Sequence, residues 1–210
     1  MNQRQTGFTL VEIAIVLVII GLLLGGVLKG QELIFNSKVK ATFNLSREMS
    51  AAFNSYMDRY GALPGADNSA STRFPAAVPL PANGNNNGVL GFGDCSTNTT
   101  TAFTVTTENC EALYHLRLAG FISGAGVSPV HTPFGGPAFP AAGNNVIVGL
   151  GTGVVLAFYP GTLTNKAASA IDTSFDDGNS ATGVFRCSGG APYAMNTPDA
   201  TIAQYCAMSL

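Results

Sequence analysis

The sequence predicts an α+β protein: one long N-terminal α-helix, membrane-spanning in its first half, packed on a small antiparallel β-sheet head with loop-rich insertions. Three observations lead there. Phe8 to Leu28 is apolar except for Glu12, the following residues carry apolar side chains at helical spacing, and beyond Gly61 the chain turns to Gly, Pro, Asn and Thr with short β-rich runs. The expected organisation is a short polar segment at 1–7, an apolar helix at 8–30, its amphipathic continuation at 31–60 and an α+β head at 61–210.

The apolar run comes first. Its 21 residues, Phe8 to Leu28, span about 30 Å as a helix, the thickness of a bilayer core. A removable secretory signal would be shorter and would end at a small-residue A-x-A site, whereas here Leu28 leads through Lys29 and Gly30 into further helical sequence. Arg4 and the amino terminus precede the run, which predicts an N-in, C-out orientation by the positive-inside rule. An ionised Glu12 in so apolar a medium must be paired or protonated, and ionisable residues within membrane segments are functional candidates by default.

The helix continues past the membrane. Leu45, Met49, Phe53, Tyr56 and Tyr60 form one stripe of a 3.6-residue period, with Arg47, Glu48, Asn54 and Asp58 off it. Gly61 and Pro64 in YGALPG supply the stop. From Phe8 to Tyr60 the helix would be about 80 Å long. Glycines 21, 25, 26 and 30 weaken its apolar half and permit close helix contact.

In the head, residues 65 to 107 are rich in turn formers, including NGNNNGVLGFGD and STNTTTAFTVTT. A short helix is expected from Glu108 to Ala119, with Thr107 as N-cap, Glu108 and Glu111 in its first turns and Gly120 as its stop. NVIVGLGTGVVLAFY, Asn145 to Tyr159, reads as a hairpin of two β-rich runs hinged on Gly149 to Gly153. A brief helix at Lys166 to Asp172 and β-like segments at Gly183 to Cys187 and near Gln204 to Cys206 complete the head.

Composition narrows the function classes. A net charge of -2 with only 10 Lys plus Arg argues against a broad phosphate-binding face, so nucleic acid is not an expected partner. Charged residues make up 10% of the chain, well under the roughly 25% of ordinary globular domains, so solubility rests on Asn, Thr, Ser and Gly.

At its start the chain resembles a known family. Gly7-Phe8-Thr9-Leu10-Val11-Glu12, with a polar leader carrying Arg4 before it and the apolar run after it, is similar to the class III signal of type IV prepilins and type II secretion pseudopilins. The resemblance covers about the first 60 residues. It implies that a prepilin peptidase cuts between Gly7 and Phe8, removing 1–7 as a leader, and that Phe8 is N-methylated. It further implies that Glu12 pairs with the new Phe8 amine, on its own chain or on the preceding subunit of a helical bundle. Where many major pilins carry a proline near the end of the apolar run, this chain has only glycines.

The four cysteines, Cys95, Cys110, Cys187 and Cys206, all fall in the part expected outside the cytoplasm, where disulfides persist. Of three possible pairings, Cys95 with Cys110 and Cys187 with Cys206 is favoured because each brackets a loop-rich stretch. The second pair resembles the disulfide-bounded C-terminal region of many type IV pilins. A zinc site has little support, since there is no C-x-x-C and the histidines are only His115 and His131.

Catalytic chemistry is sparse. His115 in LYHLRL reads as a helix residue facing the core, and Ser123 and Ser188 lack a nucleophile-elbow spacing. Asp172, Asp176 and Asp177 offer clustered oxygens that suit calcium, but Asp-Asp-Gly-Asn equally suits a turn closing the preceding helix. Arg73, Arg117, Lys166 and Arg186 would favour DNA if they met on one face.

The expected function is that of a structural subunit, not an enzyme. It would be made as a single-pass inner-membrane precursor, processed and methylated by the prepilin peptidase, and polymerised through its N-terminal helices by an assembly platform and ATPase into a filament in the periplasm or on the cell surface. The alternatives are a type II secretion pseudopilin and a minor pilin acting in adhesion or DNA uptake.

Overall fold

The computed structural model describes residues 9–93, 95, 108–188, 193, 197–202 and 205–210. It has two units, Met1–Lys38 and Val39–Leu210. In the first, the helix α1 (Leu10–Tyr60) has no buried residue; the first buried position along it is Val39. The apolar part is long and hydrophobic enough to cross a bilayer, with a mean hydropathy of 2.8 over its best 18-residue window. Large aliphatic side chains such as Leu22, Leu23 and Leu28 are more than 60% exposed, and a Cβ added at Gly21, Gly25, Gly26 or Gly30 would meet nothing within 4 Å.

Within the second unit the amphipathic stripe is the buried face of α1. Met49, Phe53 and Tyr56 are buried, Leu45 and Tyr60 are partly buried, and Arg47, Glu48, Asn54 and Asp58 are exposed. α1 ends where expected: Gly61 takes a φ of 66° and donates to the Met57 carbonyl at 2.8 Å, a left-handed closure that glycine makes without strain.

The head is an antiparallel five-stranded sheet flanked by helices. After the one-turn α2 (Ala70–Arg73) comes α3 (Glu108–Leu118), followed by β1 (Val130–His131), β2 (Pro137–Ala142), α4 (Gly143–Val146), β3 (Val154–Phe158), α5 (Asn165–Phe175), β4 (Phe185–Cys187) and β5 (Cys206–Ser209). The strand order is β1-β2-β3-β5-β4, every pairing antiparallel. In β2 five successive residues are buried, and in β3 four, so both faces of the central strands are covered. That is why they lack polar alternation. Phe43 of α1 stacks on Phe175 of α5 with ring centroids 3.9 Å apart, and Tyr56 sits edge-on to Phe121.

Several sequence expectations need correction or refinement. Asn145 to Tyr159 is not a hairpin. β3 pairs instead with β2 in the register Ala138 to Phe158 through Ala142 to Val154, and residues 143–146 form a helical turn. The Asn144 side chain explains this, because its Oδ1 accepts the Gly149 and Gly151 amides and folds the glycine-rich loop back on itself, leaving Val148 96% exposed. β2 has no strand signal in the sequence because Pro137 and Pro140 argue against one. Pro140 is tolerated because β1 is only two residues long and pairs at Ala138 and Pro137, leaving Pro140 beyond it. The brief helix at Lys166 to Asp172 is the longer α5, capped by Thr164, whose hydroxyl accepts the Ala167 amide at 3.2 Å. The expected C-terminal strand starts at Cys206 and runs to Ser209; Gln204 and the Thr107 cap lie outside the described residues.

Candidate functional site

The helix start builds the first candidate. Thr9 and Glu12 cap each other: the Thr9 amide and hydroxyl donate to Glu12 Oε2 at 2.8 and 2.7 Å, and the Glu12 amide donates to Thr9 Oγ1 at 3.3 Å. This reciprocal arrangement is a capping box, in which an N-cap Thr and an N3 Glu satisfy backbone donors that a helix start leaves unpaired. A carboxylate in the first turn also complements the helix dipole. The T-x-x-E spacing of Thr9 and Glu12 is the sequence signal for this cap. Both bonds from Thr9 land on the same oxygen of Glu12. Gly7 and Phe8, the expected cleavage and methylation positions, lie outside the described residues.

In the head, Cys95 is bonded to Cys110 and Cys187 to Cys206. The second bridge links β4 to β5, whose register places those residues opposite each other. The first ties Cys95, in the segment before α3, to the first turn of α3.

The structure gathers Asp172, Asp176 and Asp177 so that one carboxylate oxygen from each lies within 4.8 Å of the others. It also gives each carboxylate a structural task. Asp172, fully buried, accepts from Gly178 N at 2.9 Å and from the Tyr193 hydroxyl at 2.7 Å. Asp176 accepts the Phe185 amide at 2.7 Å, and Asp177 accepts the Asn179 amide at 2.8 Å and the Thr182 hydroxyl. Burial raises the Asp172 carboxyl above its usual range, whereas the Thr182 bond lowers that of Asp177. The three residues close α5 and fix the turn into β4.

The four cations are largely occupied. Arg73 binds Asp67 at 2.7 Å and lies 5.0 Å from the centre of the Tyr60 ring. Arg117 donates to the carbonyls of Ser123, Ala125 and Gly126, and Arg186 donates to that of Gly183. His115 is buried between the Gly65 amide and the Ala82 carbonyl. An open groove of about 430 Å³ runs between α1 and the segment after α3, lined by Leu45, Glu48, Met49, Ala52, Phe121 and Val130.

Comparison with known proteins bears on the first of these regions. Residues 2–28 match the family model of the prokaryotic N-terminal methylation motif, the class III signal sequence of type IV pilins and pseudopilins. The chain carries a prepilin-type signal. No curated protein and no solved structure matches it. The motif belongs to a structural, not an enzymatic, family and implies processing by a peptidase and assembly with a pilus or secretion machinery; with the exposed apolar helix it supports a membrane-anchored precursor that is pilin-like or pseudopilin-like. Its architecture, a long N-terminal helix and a small antiparallel sheet, is pilin-like.

Proposed function

We propose that the mature chain is the structural subunit of a type IV pilus-like filament. The observation that carries this reading is the pairing of the methylation motif with an apolar helix that has no buried residue before Val39. A surface of that kind is covered by lipid before assembly, and by the helices of other subunits after it.

Cleavage between Gly7 and Phe8 creates an ammonium group on the residue immediately before the Thr9 to Glu12 cap. The cap satisfies Glu12 Oε2 within the chain and leaves Oε1 to face the Phe8 amine of a neighbouring subunit. In lipid that charge is poorly compensated; in a bundle of helices the two charges meet in one axial register, which favours adding subunits one way only. The leader stays on the cytoplasmic side and the head on the other, and the filament leaves the inner membrane into the periplasm or onto the cell surface. Assembly force comes from the cytoplasmic ATPase and platform. The paired cysteines, both in the head, suit an oxidising exterior.

Substituting Glu12→Val tests the pairing. The precursor should still be inserted and cleaved, while sheared filaments fall to background; normal filaments would end the proposal. A subunit found only in membranes, never in the sheared fraction, would instead indicate a pseudopilin.

A further inference from the structure

One face of α3 carries three buried side chains at i, i+3 and i+7, Glu108, Glu111 and His115, and all three bind the backbone of the segment that crosses them. Glu108 accepts the Asn85 amide at 3.1 Å and the Gly91 amide at 2.8 Å. Glu111 Oε2 accepts the Ala82 amide at 3.3 Å, and His115 Nε2 is 3.1 Å from the Ala82 carbonyl. The Ala82 peptide is thus held on both sides. His115 Nδ1 takes the Gly65 amide at 3.0 Å.

These contacts fix protonation by geometry. Nδ1 must accept from Gly65, so the imidazole is neutral and its single proton sits on Nε2, donated to Ala82. A second proton on Nδ1 would point at the Gly65 N–H and break that bond. Glu111 lies 3.7 Å from His115 Nε2, close enough for an ion pair, but its Oε1 is buried with no hydrogen-bond partner among the described residues. A carboxylate so placed would hold an uncompensated charge away from water. Both groups are therefore neutral in the folded chain. Burial depresses His115 from 6.5 to about 4 and raises Glu111 from 4.5 to about 7. The other groups facing the pair do not upset this. Asp67 and Arg73 push His115 in opposite directions and are bound to each other, Tyr56 stacks on its ring 6.1 Å away, Tyr114 is on the same helix, and both Glu108 oxygens are held by backbone amides.

We propose that Glu111 and His115 form a neutral latch that keeps the 82–91 segment on α3 with little dependence on pH, because opening it moves a proton between them without net uptake or release. Closed, the pair holds one proton, on Glu111. Open to water between pH 4.5 and 6.5, it also holds one, on His115. Each residue alone would make the latch pH-sensitive, and in opposite senses. His115, lower in the closed state, favours opening as pH falls from 6.5 towards 4; Glu111, higher in the closed state, favours opening as pH rises from 4.5 towards 7. Together the slopes cancel, which suits a head that meets an unbuffered exterior.

Amide exchange on the full chain in detergent micelles, corrected for intrinsic rates, tests this at Gly65 and Ala82, with the β3 residue Leu156 as the reference for global unfolding. In the unsubstituted protein, protection relative to Leu156 should change by less than about threefold between pH 4 and 7, since one-proton effects of about tenfold per pH unit oppose each other. Glu111→Gln should lose about tenfold per unit on acidification below 6.5, and His115→Gln about tenfold per unit on raising pH above 4.5. Flat profiles in both variants, or a steep one in the unsubstituted chain, would overturn the latch. Nitrogen shifts of the His115 ring give an independent reading: an Nε2–H neutral ring at pH 5.5 is expected, and an imidazolium there would also overturn it.

Discussion

The stretch 10–38 and the head at 39–210 treat the same residue types in opposite ways. In the first, glycines face open space and the one carboxylate of the first turns is exposed, bonded only to its helix cap. In the second, Gly65 and Gly84 mark close approaches of backbone, and the carboxylates of Asp67, Glu108, Glu111 and Asp172 are buried, each accepting a backbone amide. Gly65 and Gly84 have room for no side chain: a Cβ at either would lie 2.2 Å from a carbonyl oxygen, of Glu108 and Gly65 respectively. Asp67, at 0% exposure, binds the Tyr56 hydroxyl, the Ser69 amide and Arg73. The difference teaches that the described part of the head closes its contacts within one chain while the apolar helix leaves its side chains open, as the proposed filament subunit requires.

The contrast can be broken from the head side most strongly at Asp67. Replacing it with alanine leaves Tyr56 and Arg73 without their partner and should cost about 3 kcal/mol in the stability of the head, read from thermal melting of the solubilised protein. Asp67→Asn separates charge from shape. Burial pushes the Asp67 carboxyl up, but the Arg73, Ser69 and Tyr56 bonds outweigh it and hold it below its usual 3.8. Its contribution is therefore present above pH 3.8 and lost as pH falls through the lowered value. The asparagine variant should be less stable at neutral pH and show a shallower acid transition; an unchanged acid limb would remove Asp67 from the account.

A smaller effect sharpens the comparison with one substitution made twice. Gly84→Ala forces a methyl into the Gly65 and Ala66 backbone and should destabilise the head by about 1–3 kcal/mol. Gly21→Ala, in open space, should leave head melting unchanged and strengthen the isolated helix by about 1 kcal/mol at most. Equal effects at the two sites would mean that the regions do not differ as described.

How much of this was legible in the sequence follows from the range of the interactions. The 51-residue α1, its Gly61 stop, α3 and α5 rest on local periodicity and caps, and were readable. β2 was not, because two prolines hide it and its partner lies beyond a loop folded by a single asparagine side chain. The roles of Glu108, Glu111 and His115 were equally hidden. Their spacing on one helix face is visible, but the backbone they bind is 17 to 50 residues away. At the start of the chain both levels are local: the signal motif and the T-x-x-E spacing of the Thr9 to Glu12 cap lie in the same six residues.

Intact mass and N-terminal sequencing of protein from sheared surface filaments and from membranes bear most directly on the central claim. The account predicts a chain beginning at N-methylated Phe8 in both fractions, the leader through Gly7 removed. An uncleaved chain beginning at Met1 or Asn2 in both would contradict it.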